Sequence, residues 1–297
     1  MELRTLRAFV EVVRQGGFSQ AAKIVFATQS TVSKAVKQLE DELGLPLLDR
    51  IGHRCELTAA GQIVYRRALA MLAGRDDLLT ELEELRGLKR GVLRLGLPPV
   101  GSSILFAPVF AAFRGLYPGI DIRLIEQGSK RLEEILLAGE IDLAGSLLPV
   151  SDAFEYQLVR SEPIVVLLAS GHQLADREQV DLASLACLPF ILFDNSFALT
   201  ELILAACRRS GITPRIEARS AQIDFIVELV ATGLGVGFLP RMIAEQRDHP
   251  AVRRVLLAEP DIAWDFALIW RRGGYLSHAA KTWLALVEDL GSRPDQR

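Results

Sequence analysis

The chain has 297 residues, enough for roughly two to three domains, and half of them are hydrophobic, so sizeable cores are available. A formal net charge of −3 excludes a protein that holds nucleic acid through overall positive charge; any such contact needs a local patch. Cys55, Cys187 and Cys207 stand too far apart for a zinc ribbon or a disulfide framework. The N-terminal segment has no signal-peptide core, and no apolar run reaches the roughly 18–20 residues of a membrane span, which predicts a reducing, cytoplasmic setting without a membrane partner.

In the first segment, Leu3, Leu6, Phe9, Val10 and Val13 recur at helical spacing, and Gly16–Gly17 end the run. Ser19 is placed to cap a short second helix, Gln20 to Val25, in which Ala21 and Ala22 allow close packing. Phe26–Ala27 form a tight connection, and Thr28 caps a third helix. That helix carries two stripes. Val32, Val36, Leu39 and Leu43 face a core, while Ser30, Ser33, Lys34 and Lys37 form a polar, then cationic, stripe. Two helices joined this way make a helix-turn-helix, whose second helix enters the major groove. Gln29, Ser30, Thr31, Ser33 and Lys34 are the candidates for bases or phosphates, and Lys37 for backbone. "DRIGHRCELT", residues 49 to 58, follows with a Gly52–His53 turn between two short strands. In that wing Arg50, His53, Arg54 and Thr58 offer donors to phosphate.

"GGFSQAAKIVFATQSTVSKAVKQLEDELGLPLLDRIGHRCELTAAG", residues 16 to 61, resembles the DNA-binding domain of LysR-type transcriptional regulators. The features in register are Phe18–Ser19, Ala21–Ala22, Gln29, Ser33, Leu39–Glu40, Leu43–Gly44, Leu48, Arg50, Leu57–Thr58 and Gly61. Ser30 stands where the family usually has Pro, Leu48 where it often has Phe, and His53 where it often has Arg. The resemblance implies a winged helix-turn-helix on a dyad-symmetric, double-stranded operator. It also implies a homodimer, often a tetramer, and contact with RNA polymerase if the protein activates.

From Ala59 to Arg86 no proline occurs, and Gly87 closes the run. Val64, Ala68, Met71, Leu78, Leu82 and Leu85 take alternating four- and three-residue steps, interrupted by Arg75, as in a coiled-coil seam with one polar position. A dimerising linker helix is expected there.

Strands and helices then alternate. "VLRLGLPP", "ILFAPVFAAFRGLY", "IDIRLIE", "SKRLEEILLAG" and "IDLAGSL" form one βαβαβ run. "PFILFD", "ALTELILAACRRSG", "PRIEAR", "QIDFIVELVATG" and "GVGFLP" form a second. Residues 156 to 170 read as a crossover strand, residues 264 to 272 as a strand returning to the first lobe, and His278 to about Leu290 as a final helix. The expected fold is α/β with an all-α-type N-terminal domain. Its parts are a winged helix-turn-helix (1–58), a linker helix (59–87) and a two-lobed, periplasmic-binding-protein-like domain (88–297). Lobe I takes about 91–161 and 267–297, lobe II about 162–266. Residues 92 to 290 are similar to LysR-type effector domains in element order.

Ligands of such sheets bind beyond the carboxyl ends of the strands. The candidates there are Ser102 and Ser103 after the first strand, Gly128 and Ser129 at the next helix start, and Ser146 at the third strand. Asn195, Ser196 and Phe197, beside Asp194, hold the matching place in the second lobe. Helix-start N–H groups and hydroxyls suit an anion, and the resemblance implies a small carboxylate or related metabolite as effector. The alternatives are a redox-responsive regulator of the same family using Cys187 and Cys207, whose thiols read as buried and inert, and a two-lobed enzyme. "GLGVGF", residues 233 to 238, leads into a strand rather than out of one, so it does not read as a dinucleotide loop. The four histidines stand alone, and Glu140 and Asp142 lie at an exposed helix-to-strand turn. No catalytic residue, metal ligand or cofactor is predicted.

Overall fold

The structure, a computed structural model, describes residues 1–51, 54–85, 91–259 and 262–291. The chain divides into two compact units: Met1–Leu88 with Leu137–Glu140 and Gly273–Ser277, and the remainder.

The first unit contains helices α1 (Leu3–Gln15), α2 (Phe18–Ile24) and α3 (Gln29–Leu43), strands β1 (Leu48–Ile51) and β2 (Arg54–Leu57), and helix α4 (Ala59–Leu85). Gly16 ends α1 in the left-handed region (φ 67°), where its N–H returns to the Val13 carbonyl. Leu6, Phe9, Val10, Ala21, Ala22, Val32, Val36 and Leu39 form one buried core. Leu3 and Leu43, expected in that core, overhang its ends and are exposed. Helix α2 starts two residues before the expected point. Gly17 is its N-cap and Ser19 sits inside the first turn, because Phe18 joins the helix to pack against the core.

The connection from α3 to α4 is tied down by polar groups. The Glu40 carboxylate accepts the N–H groups of Leu47 (2.8 Å) and Leu48 (3.2 Å). The Thr58 hydroxyl donates to the Pro46 carbonyl (2.8 Å) and accepts the Gly61 N–H (2.9 Å), capping α4. Strands β1 and β2 pair antiparallel from Leu48↔Leu57 to Ile51↔Arg54.

Helix α4 divides its apolar residues between two faces. Ala68, Leu69 and Ala73 are buried, Val64 is partly buried, and Tyr65 meets Phe9 edge-on at 6.3 Å. Met71, Leu78 and Leu82 are 45%, 56% and 42% exposed. The predicted seam is therefore not continuous. Val64 and Ala68 serve their own domain, and only the later positions face outward. The Leu85 side chain lies outside the described residues.

The second unit runs β3 (Gly91–Leu97), α5 (Pro99–Leu116), β4 (Ile120–Glu126), α6 (Ser129–Leu137), β5 (Leu143–Leu147) and β6 (Phe154–Ala169). It continues through β7 (Gln179–Val180), α7 (Leu182–Leu185), β8 (Pro189–Phe193), α8 (Ala198–Arg209), β9 (Arg215–Ser220), α9 (Ile223–Ala231) and β10 (Gly237–Pro240). Helix α10 (Arg241–Glu245), strands β11 (Val252–Leu257) and β12 (Ala263–Arg271), and helix α11 (His278–Gly291) complete it.

Lobe I has the order β4-β3-β5-β12-β6, with β3 parallel to β4 and β5, and β12 antiparallel to β5 and β6. Phe154 to Pro163 of β6 pair with β12, and Ile164 to Ala169 pair with β10 and β11, so one strand belongs to both lobes. In lobe II, β8 lies parallel to β9 and bridges Val236 through Phe190. Strand β11 has no predicted counterpart. Its two exposed arginines, Arg253 and Arg254, interrupt the apolar pattern that marks the other strands.

Helix α5 is not regular from its start. Val100 and Gly101 are non-helical, and Gly101 (φ 90°) leaves no room for a side chain, since a Cβ there would lie 2.6 Å from Trp264. Contrary to expectation, α5 is long and apolar enough to cross a bilayer by length and composition. Here Phe106 and Phe113 are buried against Trp283 of α11, covering the sheet. Asp142 is not simply exposed either. Its carboxylate pairs with the Arg94 guanidinium at 3.0 Å and accepts the Arg94 N–H at 2.8 Å, tying β5 to β3.

A Cβ at Gly61 would lie 2.0 Å from the Leu47 carbonyl oxygen, a backbone atom held in place by Glu40 and Thr58. Gly61→Ala is therefore expected to destabilise the first unit by about 1–3 kcal/mol, read as a lower denaturation midpoint of its transition.

Candidate nucleic-acid interface and ligand cleft

The third helix is presented by its cap and its buried face together. The Thr28 hydroxyl accepts the Thr31 N–H (3.2 Å) and bonds the hydroxyls of Ser30 (2.9 Å) and Thr31 (2.8 Å). With Val32, Val36 and Leu39 held in the core, the opposite stripe faces outward. Gln29, Ser30, Thr31, Lys34 and Lys37 are exposed, and Ser33 is half-buried. The side chains of Arg50 and Arg54, and His53 altogether, lie outside the described residues.

Phe26, which carries no predicted role, is 97% exposed, and among the described residues it is the non-glycine residue with positive φ (53°). It occupies the turn just before the Thr28 cap. A large aromatic between a closed α2 and a capped α3, with no apolar stripe to join, is the signal in the sequence.

In the second unit, the loop 194–197 of lobe II lies on the start of α6 in lobe I. The Lys130 N–H points at the Ser196 carbonyl (3.5 Å), and a Cβ at Gly128 would lie 2.3 Å from the Ser196 hydroxyl oxygen. Gly128 and Lys130, on either side of Ser129, thus lie against Ser196, and β5 of lobe I approaches α8 of lobe II.

The hydroxyls differ in what they do. Ser102 is buried and donates to the Pro98 carbonyl, so it closes its own turn; Ser103 is exposed. Ser196 donates through both N–H and hydroxyl to Asp194, shaping its loop, while Asn195 is exposed. Phe197 is buried and stacks on Phe193 at 4.9 Å, which makes it a packing residue. Ser146, at the end of β5, is fully buried and donates to Glu133 Oε1 at 2.7 Å. Ser129 is 4% exposed, and among the described residues its hydroxyl has no partner.

Glu133 has no predicted role, yet it belongs to this cluster. It lies one turn after Ser129 on α6, beside the buried Leu132 and Leu136. Burial raises its carboxyl pKa above the ordinary value, with the Ser146 hydroxyl and the Lys130 charge pulling the other way.

Cys207 is buried, and burial together with the nearby Glu259 charge pushes its thiol pKa up; Cys187 is exposed rather than buried. His172 and His249 each accept a backbone N–H two residues on, at 3.2 Å, as turn caps. Among the described residues no group of three or more His, Cys, Asp or Glu side chains is arranged to hold a metal.

Residues 3–62 match the family described as bacterial regulatory helix-turn-helix protein, lysR family, and residues 86–291 match the LysR substrate binding domain. The chain belongs to the LysR family of transcriptional regulators. It is a DNA-binding regulator with an effector-binding domain, not an enzyme. A HTH-type transcriptional regulator of Bacillus subtilis, YwbI, is 36% identical over 285 residues, covering 96% of this chain and 95% of that one. A probable hydrogen peroxide-inducible genes activator of Mycobacterium leprae is 33% identical, covering 80% of this chain and 78% of that one. Among solved structures, full-length BenM matches with a TM-score of 0.59 at 26% identity, covering 98% of this chain and 96% of that one. A full-length OxyR variant from Pseudomonas aeruginosa matches in fold with a TM-score of 0.66 at 23% identity, covering 97% of each chain.

The cap on α3 is separable from the face it presents. Thr28→Ala is expected to cost about 1 kcal/mol of first-unit stability, while Thr28→Ser keeps most of it; urea midpoints of the two variants check this.

Proposed function

We propose that this LysR-family regulator reads a dyad-symmetric operator with α3 and its wing, and is controlled by a small carboxylate-bearing metabolite held between its two lobes. For the operator, the supporting feature is the outward stripe Gln29, Ser30, Ser33, Lys34 and Lys37, short and polar at the helix start and cationic beyond. Short side chains near the N-terminus allow close approach to base edges, and the lysines reach phosphate. The exposed Met71, Leu78 and Leu82 of α4 suit pairing with a second copy, as a two-fold operator requires. The setting is cytoplasmic, and an activating role brings RNA polymerase as a further partner.

The observation that carries the effector reading is Ser129. It is 4% exposed and its hydroxyl makes no protein hydrogen bond among the described residues, so that hydroxyl is available to a ligand that reaches it. It sits on the first turn of α6, where orphan N–H groups and the helix dipole favour an anion. Directly over it lies the lobe II loop, so a ligand there touches both lobes. Such a ligand biases the lobe arrangement by its differential affinity for the arrangements available, and so couples to DNA binding. The redox alternative draws on the exposed Cys187, but the raised thiol pKa of the buried Cys207 works against exchange, because the thiolate is the reactive form.

Lys37→Ala is expected to weaken binding to all DNA sequences and to reduce the salt slope by about one, while Ser33→Ala reorders operator preference in a randomised-site selection. Binding isotherms between 50 and 200 mM salt, as round working values, test the first, and an unchanged ranking rejects the second. In a thermal-denaturation panel of small organic acids, amino acids and aromatic carboxylates, a ligand at about 100 times its Kd adds roughly 2.7 kcal/mol. Ser129→Ala is expected to diminish that shift without changing DNA affinity in the absence of ligand. Equal loss of both assigns Ser129 a structural role.

A further inference from the structure

We propose that the effector is a compact zwitterion, with an ammonium group received by Glu133 as well as the carboxylate held at the start of α6. This rests on the cleft reading above and narrows it to a chemical class.

The inference starts from an unbalanced charge. Glu133 is half-buried on α6, one turn after Ser129, and its Oε1 accepts the Ser146 hydroxyl at 2.7 Å. Among the described residues no Lys, Arg or His nitrogen comes within ion-pair distance of its carboxylate, and Oε2 has no hydrogen bond. Its neighbour Arg131 on the same helix is committed to Glu134 at 2.7 Å. Lys130 acts on it only through longer-range attraction. A half-buried carboxylate with one neutral donor has acceptor capacity left for a further donor, best a cation.

The same group rules on what enters. A ligand bearing only carboxylates brings negative charge toward the half-buried Glu133 carboxylate, which raises the cost of ionising both. A ligand with an ammonium group turns that repulsion into a charge-assisted hydrogen bond. The spacing suits both ends. Ser129 and Glu133 are four residues apart on α6, so their side chains neighbour each other on one face, about one 5.4 Å turn apart. A small molecule with carboxylate and ammonium on one carbon bridges that distance with hydrogen bonds at each end. The lysine beside Ser129 adds positive charge at the carboxylate end, and Glu133 adds negative charge at the other.

The test uses the full-length protein in thermal denaturation and titration calorimetry, with the common α-amino acids and, for each, the same carbon skeleton without its amine. At least one amino acid is expected to raise the denaturation temperature where its amine-free acid at equal concentration does not. Glu133→Gln is expected to weaken that amino acid about tenfold or more and to leave amine-free acids bound as well or better. Should Glu133→Gln fold poorly, the paired comparison on the unaltered protein decides alone. Amine-free acids binding more tightly than amino acids, with that binding reduced by Ser129→Ala, overturn the zwitterion and keep the cleft. Binding that neither Ser129→Ala nor Glu133→Gln changes, or no binding by any compound of either set, overturns both.

Discussion

Strand β6 is the constraint on which the ligand-binding part of the molecule depends. Its first ten residues are hydrogen-bonded into lobe I through β12, and its remainder into lobe II through β10 and β11. The lobes are therefore not two domains on a linker but two sheets sharing a strand. Pro163 stands at the changeover, where it supplies no ladder N–H. The first βαβαβ run precedes that shared strand in the chain and the second follows it, and ligands of such sheets bind beyond the carboxyl ends of their strands. The loop carrying Ser196 and the start of α6 are far apart in sequence, yet the Lys130 N–H meets the Ser196 carbonyl.

Much of the first unit is legible in the sequence because its signals are local. Gly16 ends a helix by its own backbone freedom, Thr28 caps the next through a residue three positions away, and Val32, Val36 and Leu39 keep helical register. Where the expectation slips, a neighbour overrides the local signal. Ser19 is a good capping residue, but the gain from packing Phe18 into the core moves the helix start ahead of it. Helix α4 shows a second kind of limit. Its apolar spacing is real, but spacing does not say which surface buries it. Val64 and Ala68 pack within their own domain while Leu78 and Leu82 do not.

The second unit is legible in element order and far less so in its polar contacts. Asp142 looks like a solvent-facing turn residue until β3 brings Arg94, forty-eight positions earlier, against it. Phe197 looks like a loop aromatic open to a ligand until the turn folds it onto Phe193. Glu133 reads as one more acid on an amphipathic helix, because nothing in "SKRLEEILL" reveals that Ser146 will cover it. Each of these depends on a partner that only tertiary structure supplies, and pattern within a segment is blind to it.

The serines themselves show why composition at the right position is not enough to define a site. Of the five serines at these positions, Ser103 is exposed and three others already have hydrogen bonds. Ser102 closes its turn onto Pro98, Ser196 shapes its loop through Asp194, and Ser146 serves Glu133. A hydroxyl with a satisfied hydrogen bond gains little by exchanging it for another of equal strength. Ser129, 4% exposed, has no such bond among the described residues, and Glu133, one turn along the helix, has acceptor capacity left over. Helix α6 thus carries a donor at its start and an acceptor one turn further along, both with hydrogen-bonding capacity to spare. On the proposed reading, a ligand there meets opposite polarities about a helical turn apart, and that polarity, rather than the count of serines, sets what is discriminated.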